Sequence, residues 1–220
     1  MIGEGEAGRP DGSNVGARLN NLLAEAGLDR LEPPVIEKFE AYLALLLRWN
    51  RRVNLTAIRD EDGILKRHFM ESIACAEALP LGIATLLDFG SGGGLPGIPI
   101  ALCRPEITVT LAESNGKKAA FLQEAVRVVQ IGARVFAGRA KSLQEGFDCV
   151  ALRAVDRMRD AVSAAQTLVN DDGWLALLTS EVEVDGLMGA AGGAFSWRKS
   201  IPMPGSDRRI LALGRRKPQL

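Results

Sequence analysis

Residues 84–99 read ATLLDFGSGGGLPGIP. Ala84 to Phe89 is a continuous apolar run of strand length, the pattern of a strand covered by helices on both faces. It ends in a glycine-rich loop, and a short helix follows to about Leu102. Glycines 90, 92 and 94 let the main chain turn sharply and come close to a ligand. In an open α/β sheet, ligands bind beyond the carboxyl ends of the strands, which is where this loop must lie.

Downstream, the alternation continues. Ile107 to Ala112 reads as a second strand and runs into Glu113, about twenty residues past the first loop glycine, where a carboxylate accepts hydrogen bonds from ribose hydroxyls. Asn115–Gln130 is predicted as a helix, Ala133–Ala137 and Phe147–Leu152 as strands, and Asp156–Val169 as a helix. A turn at Asn170–Gly173 leads to a strand at Trp174–Thr179. Two more strands, Phe195–Ile201 and Arg209–Leu213, flank a turn at Pro204-Gly205. Strands alternating with helices give a mostly parallel sheet of seven strands, and the last pair gives it an antiparallel edge.

Upstream, the period is helical. Val15–Ala26 carries Leu19, Leu22, Leu23 and Ala26 on one face, with Gly27 to cap it. Pro33 and Pro34 open a helix to about Arg51, and a third runs from Asp62 to Leu79 through Lys66-Arg67-His68. The expected organisation is a disordered tail over 1–14, a helical extension over 15–82 packed on the core, and a core domain over 83–214.

Composition narrows the class. A chain of 220 residues suits one domain with an extension. Lys plus Arg and Asp plus Glu are 27 each, which argues against a protein that coats nucleic acid indiscriminately but leaves room for a local basic face. Cys75, Cys103 and Cys149 lack any CxxC spacing and read as core filler of a reducing, cytoplasmic compartment. One histidine and three scattered cysteines match no metal site. No apolar run reaches the roughly 18–20 residues of a membrane span. The start, MIGEGEAGRPDGSN, has no apolar core and is not a signal peptide.

The loop also discriminates between cofactors. A dinucleotide loop places its third glycine where Leu95 stands. Asp88, just before the loop, would repel a pyrophosphate but suits the ammonium of a methionine moiety. Both points favour S-adenosylmethionine over a nicotinamide cofactor. A nicotinamide-dependent oxidoreductase and a non-catalytic RNA-binding protein remain as alternatives. The chain has no Ser-His-Asp candidate, yet methylating a nitrogen with a free lone pair needs only alignment with the sulfonium methyl. Arg153 follows an apolar strand and so falls at the ligand end of the sheet.

Further stretches complete a pattern: Trp49-Asn50, Asn54-Leu55-Thr56, Arg67-His68 with Ser72, Gly90 through Pro99, Arg104-Pro105-Glu106 and Arg153-Ala154. Together they resemble the bacterial 16S ribosomal RNA guanine-N7 methyltransferases, the glucose-inhibited division protein B family, over about residues 19 to 213. The resemblance implies a Rossmann-like, S-adenosylmethionine-dependent methyltransferase fold and methyl transfer to N7 of a guanine in 16S RNA. It implies 16S RNA or the small ribosomal subunit as partner; a monomer is expected. Gly90 and Leu95 would line the cofactor pocket, Ala140 and Lys141 would flank the adenine, and Arg153 would touch cofactor or substrate. With the residues read above, the expected cofactor set is Asp88, Gly90, Gly92, Gly94, Leu95, Glu113, Ala140, Lys141 and Arg153. Arg67, His68 and Arg153 are the expected catalytic set, and Arg67, His68, Arg139 and Arg208 the expected RNA contacts. The family pattern often carries Asp where Glu71 stands, an acid where Lys141 stands and Lys where Thr179 stands.

Overall fold

The computed structural model describes residues 15–206 and 208–218. The tail expected over 1–14 lies outside the described residues. Helix α1 (Val15–Glu25) buries Leu19 and Leu23, and the Leu28 N–H closes its end on the Leu23 carbonyl at 2.9 Å around Gly27. Helix α2 (Pro33–Asn50) starts on its two prolines and buries Phe39, Tyr42, Leu43 and Leu46.

The third predicted helix is not uniform. It is built from α3 (Glu61–Gly63), a π-helical stretch Ile64–Phe69 and α4 (Met70–Ala78). Asp60 starts it by accepting the Gly63 N–H. The π-helical stretch holds Lys66, Arg67 and His68; such stretches are rare and collect at functional sites. A six-residue change of pitch is too short to alter an apolar period, so the sequence reading missed it.

The body then alternates: β1 (Thr85–Phe89), α5 (Gly97–Cys103), β2 (Thr108–Ala112), α6 (Gly116–Val129), β3 (Arg134–Phe136) and β4 (Phe147–Arg153). It continues with α7 (Met158–Ala165), β5 (Val169–Ser180), α8 (Val184–Ala190), β6 (Phe195–Trp197), β7 (Ile201–Pro202) and β8 (Arg209–Arg216). Short 3₁₀ turns cover Ala140–Ser142 and Gln166–Leu168.

Three expectations are corrected here. Strand β5 begins at Val169, not Trp174: Phe147 pairs with Val169, the register shifts, and Cys149 pairs with Trp174. The exposed Asn170–Asp172 segment is therefore an irregularity inside the strand, and its turn-forming residues belong to a bulge. Helix α8 had no counterpart in the sequence reading, because Gly186 and Gly189 mask it; burial of Val184 and Leu187 holds it in place. Finally, the stretch expected as one strand over Phe195–Ile201 is divided between β6 and β7, which both pair with β8.

The strand order is β3-β2-β1-β4-β5-β8-β6, with β7 added on β8. The pairs among β1 to β5 are parallel, and the pairs made by β8 are antiparallel. The two-residue β7 makes an eighth strand where seven were expected. From β1 the chain moves outward to β2 and β3, then returns to the other side of β1 at β4. The loops after β1 and β4 therefore diverge and open a crevice at the carboxyl edge.

Two apolar layers sandwich the sheet. Leu86 of β1 belongs to the layer that holds Leu19, Tyr42, Leu46, Ile98 and Phe121, while Leu87 belongs to the one that holds Val162, Leu168, Leu187 and Phe195. The alternation follows from the two-residue period of a strand. Helices α1, α2 and α4 share the first layer with α5 and α6, so they have no core of their own. No described helix is long and apolar enough to cross a membrane. Among the described residues, no group of three His, Cys, Asp or Glu side chains could hold a metal ion. Cys75 and Cys149 are buried and Cys103 is half-buried; burial pushes the thiols of Cys75 and Cys103 up to about 12.

Candidate active site

The loop after β1 is tied down at several points. The N–H groups of Gly90 and Ser91 both donate to the Ala112 carbonyl at 2.9 Å, and the Tyr42 hydroxyl donates to the Gly93 carbonyl at 2.5 Å. The loop glycines have separate tasks. At Gly94 (φ +84°) a Cβ would lie 2.4 Å from Ile98 Cδ1 and 3.1 Å from the Tyr42 hydroxyl, so this glycine serves packing. At Gly92 (φ +55°) a Cβ would meet only the Gly90 carbonyl at 3.9 Å, so bare main chain faces open space.

Glu113 supports the same loop. Its Oε2 accepts the Gly92 N–H at 2.9 Å and its Oε1 accepts the Asn115 N–H at 2.7 Å. Each carboxylate oxygen keeps a second lone pair for a ligand. Asp88 is placed differently from the expectation. It is 1% exposed, lies beneath the loop and accepts the Gly97 N–H at 3.1 Å. Only glycine permits that approach, since a Cβ at position 97 would sit 2.6 Å from Asp88 Oδ2. Burial raises its carboxyl to about 7 against the hydrogen bonds that lower it.

The opposite wall comes from the segment between α2 and α3. Asn50 Oδ1 accepts the N–H groups of Leu55 and Thr56 at 2.9 and 3.1 Å, and its amide donates to the Ile58 carbonyl at 3.1 Å. Leu55 packs on the glycine loop, with its carbonyl 3.6 Å from where a Gly93 Cβ would be. Arg59 holds the rim by donating to the Asn50 carbonyl and to Asn54 Oδ1, both at 2.9 Å.

The floor is a charge cluster around Glu71, which is fully buried. Arg153 donates to Glu71 Oε2 from Nη2 at 2.8 Å and from Nε at 3.2 Å. Arg67 reaches Oε1 at 3.3 Å, and Arg209 lies 3.6 Å from it. Three guanidiniums share one carboxylate, so the floor carries excess positive charge. Arg153 Nη2 also lies 2.7 Å from His68 Nδ1, and His68 Nε2 lies 2.5 Å from Thr56 Oγ1. Burial, then the charges of Arg153, Arg67 and Arg209, lower the His68 pKa to about 3. The ring is neutral at physiological pH.

These walls enclose a crevice of about 840 Å³. Arg67, His68, Gly90, Gly92, Leu95, Glu113 and Arg153 line it together, although they come from four separate segments. Other expected residues stand elsewhere. Asp88 and Gly94 lie behind the loop. Ala140 is 6% exposed and packed in the second apolar layer, with Lys141 and Arg139 exposed on the turn beyond β3. Arg208 is exposed and outside the lining, while its neighbour Arg209 lines it. Thr179, where the family pattern often has Lys, is buried and donates to Glu183 Oε2 at 3.3 Å.

The sequence reading missed Arg59, Asp156 and Arg209 on the wall; it quoted Asn54 and Thr56 as part of a motif, Lys118 as an oddly placed helix-start cation and Glu71 as a family variation, without placing them at the site. Glu71 had a signal, since it stands three and four residues after His68 and Arg67 on a helical stretch. Arg209 had none, because only the sheet order brings β8 next to β5. A second groove of about 730 Å³ runs between α1, α4 and residues 201–205. Among the described residues its charged groups are Lys66, Glu25 and Glu77, and no polar set converges there.

Comparison with known proteins supplies the family. Residues 35–190 match the GidB family model, described as rRNA small subunit methyltransferase G. A protein named ribosomal RNA small subunit methyltransferase G from Syntrophotalea carbinolica is 38% identical over 91% of this chain and 98% of its own length. A protein of the same name from Stenotrophomonas maltophilia is 44% identical over 74% of this chain and 76% of its own. Among solved structures, a ribosomal protein L11 methylase from Lactobacillus delbrueckii subsp. bulgaricus superposes with a TM-score of 0.54 at 16% identity, covering 72% of this chain and 80% of that one. A mitomycin 7-O-methyltransferase superposes at 0.57 and 17% identity, over 67% and 53% of the two chains. At such identities the likeness speaks for the methyltransferase fold alone. The family match spans most of the chain and the relatives exceed a third identity, so this chain belongs to the GidB family of rRNA small subunit methyltransferase G proteins.

Proposed function

We propose that this chain transfers the methyl group of S-adenosylmethionine to N7 of a guanine in 16S ribosomal RNA. Family membership implies a methyltransferase acting on small-subunit RNA with an S-adenosylmethionine-type cofactor. The observation that carries the reading to this chain's own residues is the crevice at the β1/β4 divergence. It joins bare main chain at Gly92, the spare lone pairs of Glu113 and an electropositive floor.

The residues present fit that cofactor. Glu113 is the acceptor for a ribose diol, and Gly92 leaves room for close approach of the cofactor chain. Leu95 supplies an apolar wall, and Arg153 with Arg209 supplies cations for a carboxylate or phosphate. When bound, the cofactor supplies a methyl group on a positively charged sulfur. The protein's part is alignment. Asn50 and Tyr42 fix the two facing walls, and the Glu71 cluster fixes the guanidiniums. N7 of guanine carries a free lone pair, so the chain needs no general base. His68 fits that economy: its Nδ1 lone pair is engaged by Arg153, which leaves it a positioning residue and not a base. Arg67 and Arg153 are the groups expected to touch the RNA or the cofactor.

The test is direct. Small ribosomal subunits from cells lacking the family enzyme are incubated with the purified chain and methyl-labelled S-adenosylmethionine, and the nucleosides are analysed by mass spectrometry. One 7-methylguanosine per 16S RNA is expected. No label in subunits or in free 16S RNA rules the reading out, including its distinction from a non-catalytic RNA-binding protein.

A further inference from the structure

The hydrogen bonds around His68 have a forced direction. A guanidinium has donors and no lone pair. His68 Nδ1, 2.7 Å from Arg153 Nη2, must therefore be the acceptor. In the neutral ring the proton is then on Nε2, which donates to Thr56 Oγ1 at 2.5 Å. The Ile58 N–H donates to the same oxygen at 3.1 Å. A hydroxyl oxygen has two lone pairs, and both are now occupied. Glu71 locks the chain of bonds at its far end by holding Arg153 through Nε and Nη2.

Thr56 is left with one hydrogen-bonding capacity, its O–H as a donor. No described residue accepts it, and Thr56 lines the crevice beside the glycine loop, against which Leu55 packs. The crevice thus contains a hydroxyl that can give a hydrogen bond but cannot receive one. A purine meets such a group differently according to its identity. Guanine has the O6 acceptor next to N7, and adenine has an amino donor at that place.

We propose that the Thr56 hydroxyl is a specificity-determining group that donates to O6 of the target guanine and so selects guanine over adenine. The assignment rests on the guanine-N7 reading above and adds to it the atom that reads the base. His68, Arg153 and Glu71 act through Thr56 as positioning residues, since they remove its capacity to accept. Adenine would set its amino donor against the hydroxyl donor and leave both unpaired.

The test uses small subunits reconstituted with 16S RNA carrying either guanine or 2-aminopurine at the methylated position. 2-Aminopurine keeps N7 and the 2-amino group and lacks O6. The quantity read is the ratio of kcat/KM for the two RNAs, in which effects on cofactor binding cancel. Thr56→Ser should keep the wild-type preference for guanine. Thr56→Val should reduce that preference about tenfold, the scale of one hydrogen bond. Should Thr56→Val not fold, Thr56→Cys, a weaker donor that still accepts, takes its place with the same expectation. An unchanged preference in the folded variant overturns the Thr56 assignment alone. Failure of the wild type to methylate the guanine subunit removes the parent reading and this assignment together.

Discussion

His68 is the one histidine in the chain, and its neighbours decide its charge. With Arg153 on one side of a buried ring, a proton would place a second cation against the first. The pKa of about 3 has a consequence for stability. The unfolded chain takes up this proton near 6.5 and the folded chain only near 3, so the contribution of His68 is complete above pH 6.5 and is lost as pH falls toward 3. Asp88 works in the opposite sense. Its folded pKa of about 7 lies above the unfolded value of about 3.8, so its burial weakens the fold as pH rises between the two. From about pH 4 to 6.5 the two slopes oppose each other. The histidine ring can be followed without ambiguity by NMR. Its signals should not titrate between pH 8 and 5, and its nitrogen shifts should report the Nε2–H tautomer. A midpoint near 6.5 would show that the Arg153 contact does not form in solution.

At the scale of the element, the glycine loop combines two demands that look alike in sequence. Position 92 faces the crevice, and position 94 faces Ile98 and Tyr42. An alanine at either adopts a left-handed backbone at about 1–2 kcal/mol. At position 94 it also overpacks the core, at about 1–3 kcal/mol. Gly94→Ala should therefore lower unfolding free energy by about 2–5 kcal/mol and Gly92→Ala by about 1–2 kcal/mol, as read by urea denaturation. The order reverses for the ligand. Gly92→Val should abolish cofactor binding in calorimetry with the fold retained. Equal stability losses at the two positions, or normal binding by Gly92→Val, would contradict this division of labour. The π-helical stretch is a second case: it sets Arg67 and His68 on the crevice wall one turn before Glu71.

For the whole molecule, formal charge is zero, yet the crevice gathers Arg59, Arg67, Lys118, Arg153 and Arg209 against Glu113, Asp156 and the buried Glu71. Charge separation of this kind gives local phosphate affinity without general stickiness. Lys118 sits in the first turn of α6, where the helix dipole disfavours a cation. An anionic ligand bound in the crevice would offset that cost. Lys118→Ala should weaken RNA binding across sequences and reduce the slope of log K against log salt by about 1, with stability unchanged or slightly raised. An unaltered slope would place Lys118 outside the RNA face.

Local rules were enough for part of this. The strand–glycine loop–helix unit, the spaced Glu113, the strand-end position of Arg153 and the antiparallel close were all readable, because each depends on residues near one another in the chain. Helix α8 and the early start of β5 were not, because burial overrode the local signals of glycines and turn residues. The site divides along the same line. Gly90, Gly92, Leu95 and Glu113 line the crevice, Asp88 is buried beneath the loop, and Ala140, Lys141, Arg139 and Arg208 are not among the lining residues. Glu71 under three arginines, Arg209 arriving from the last strand and the one-way hydroxyl of Thr56 depend on contacts between segments far apart in the chain. Only the strand order and the packing of the amino-terminal helices on the sheet could decide those, because hydrogen-bond direction and charge sharing are properties of neighbours in space.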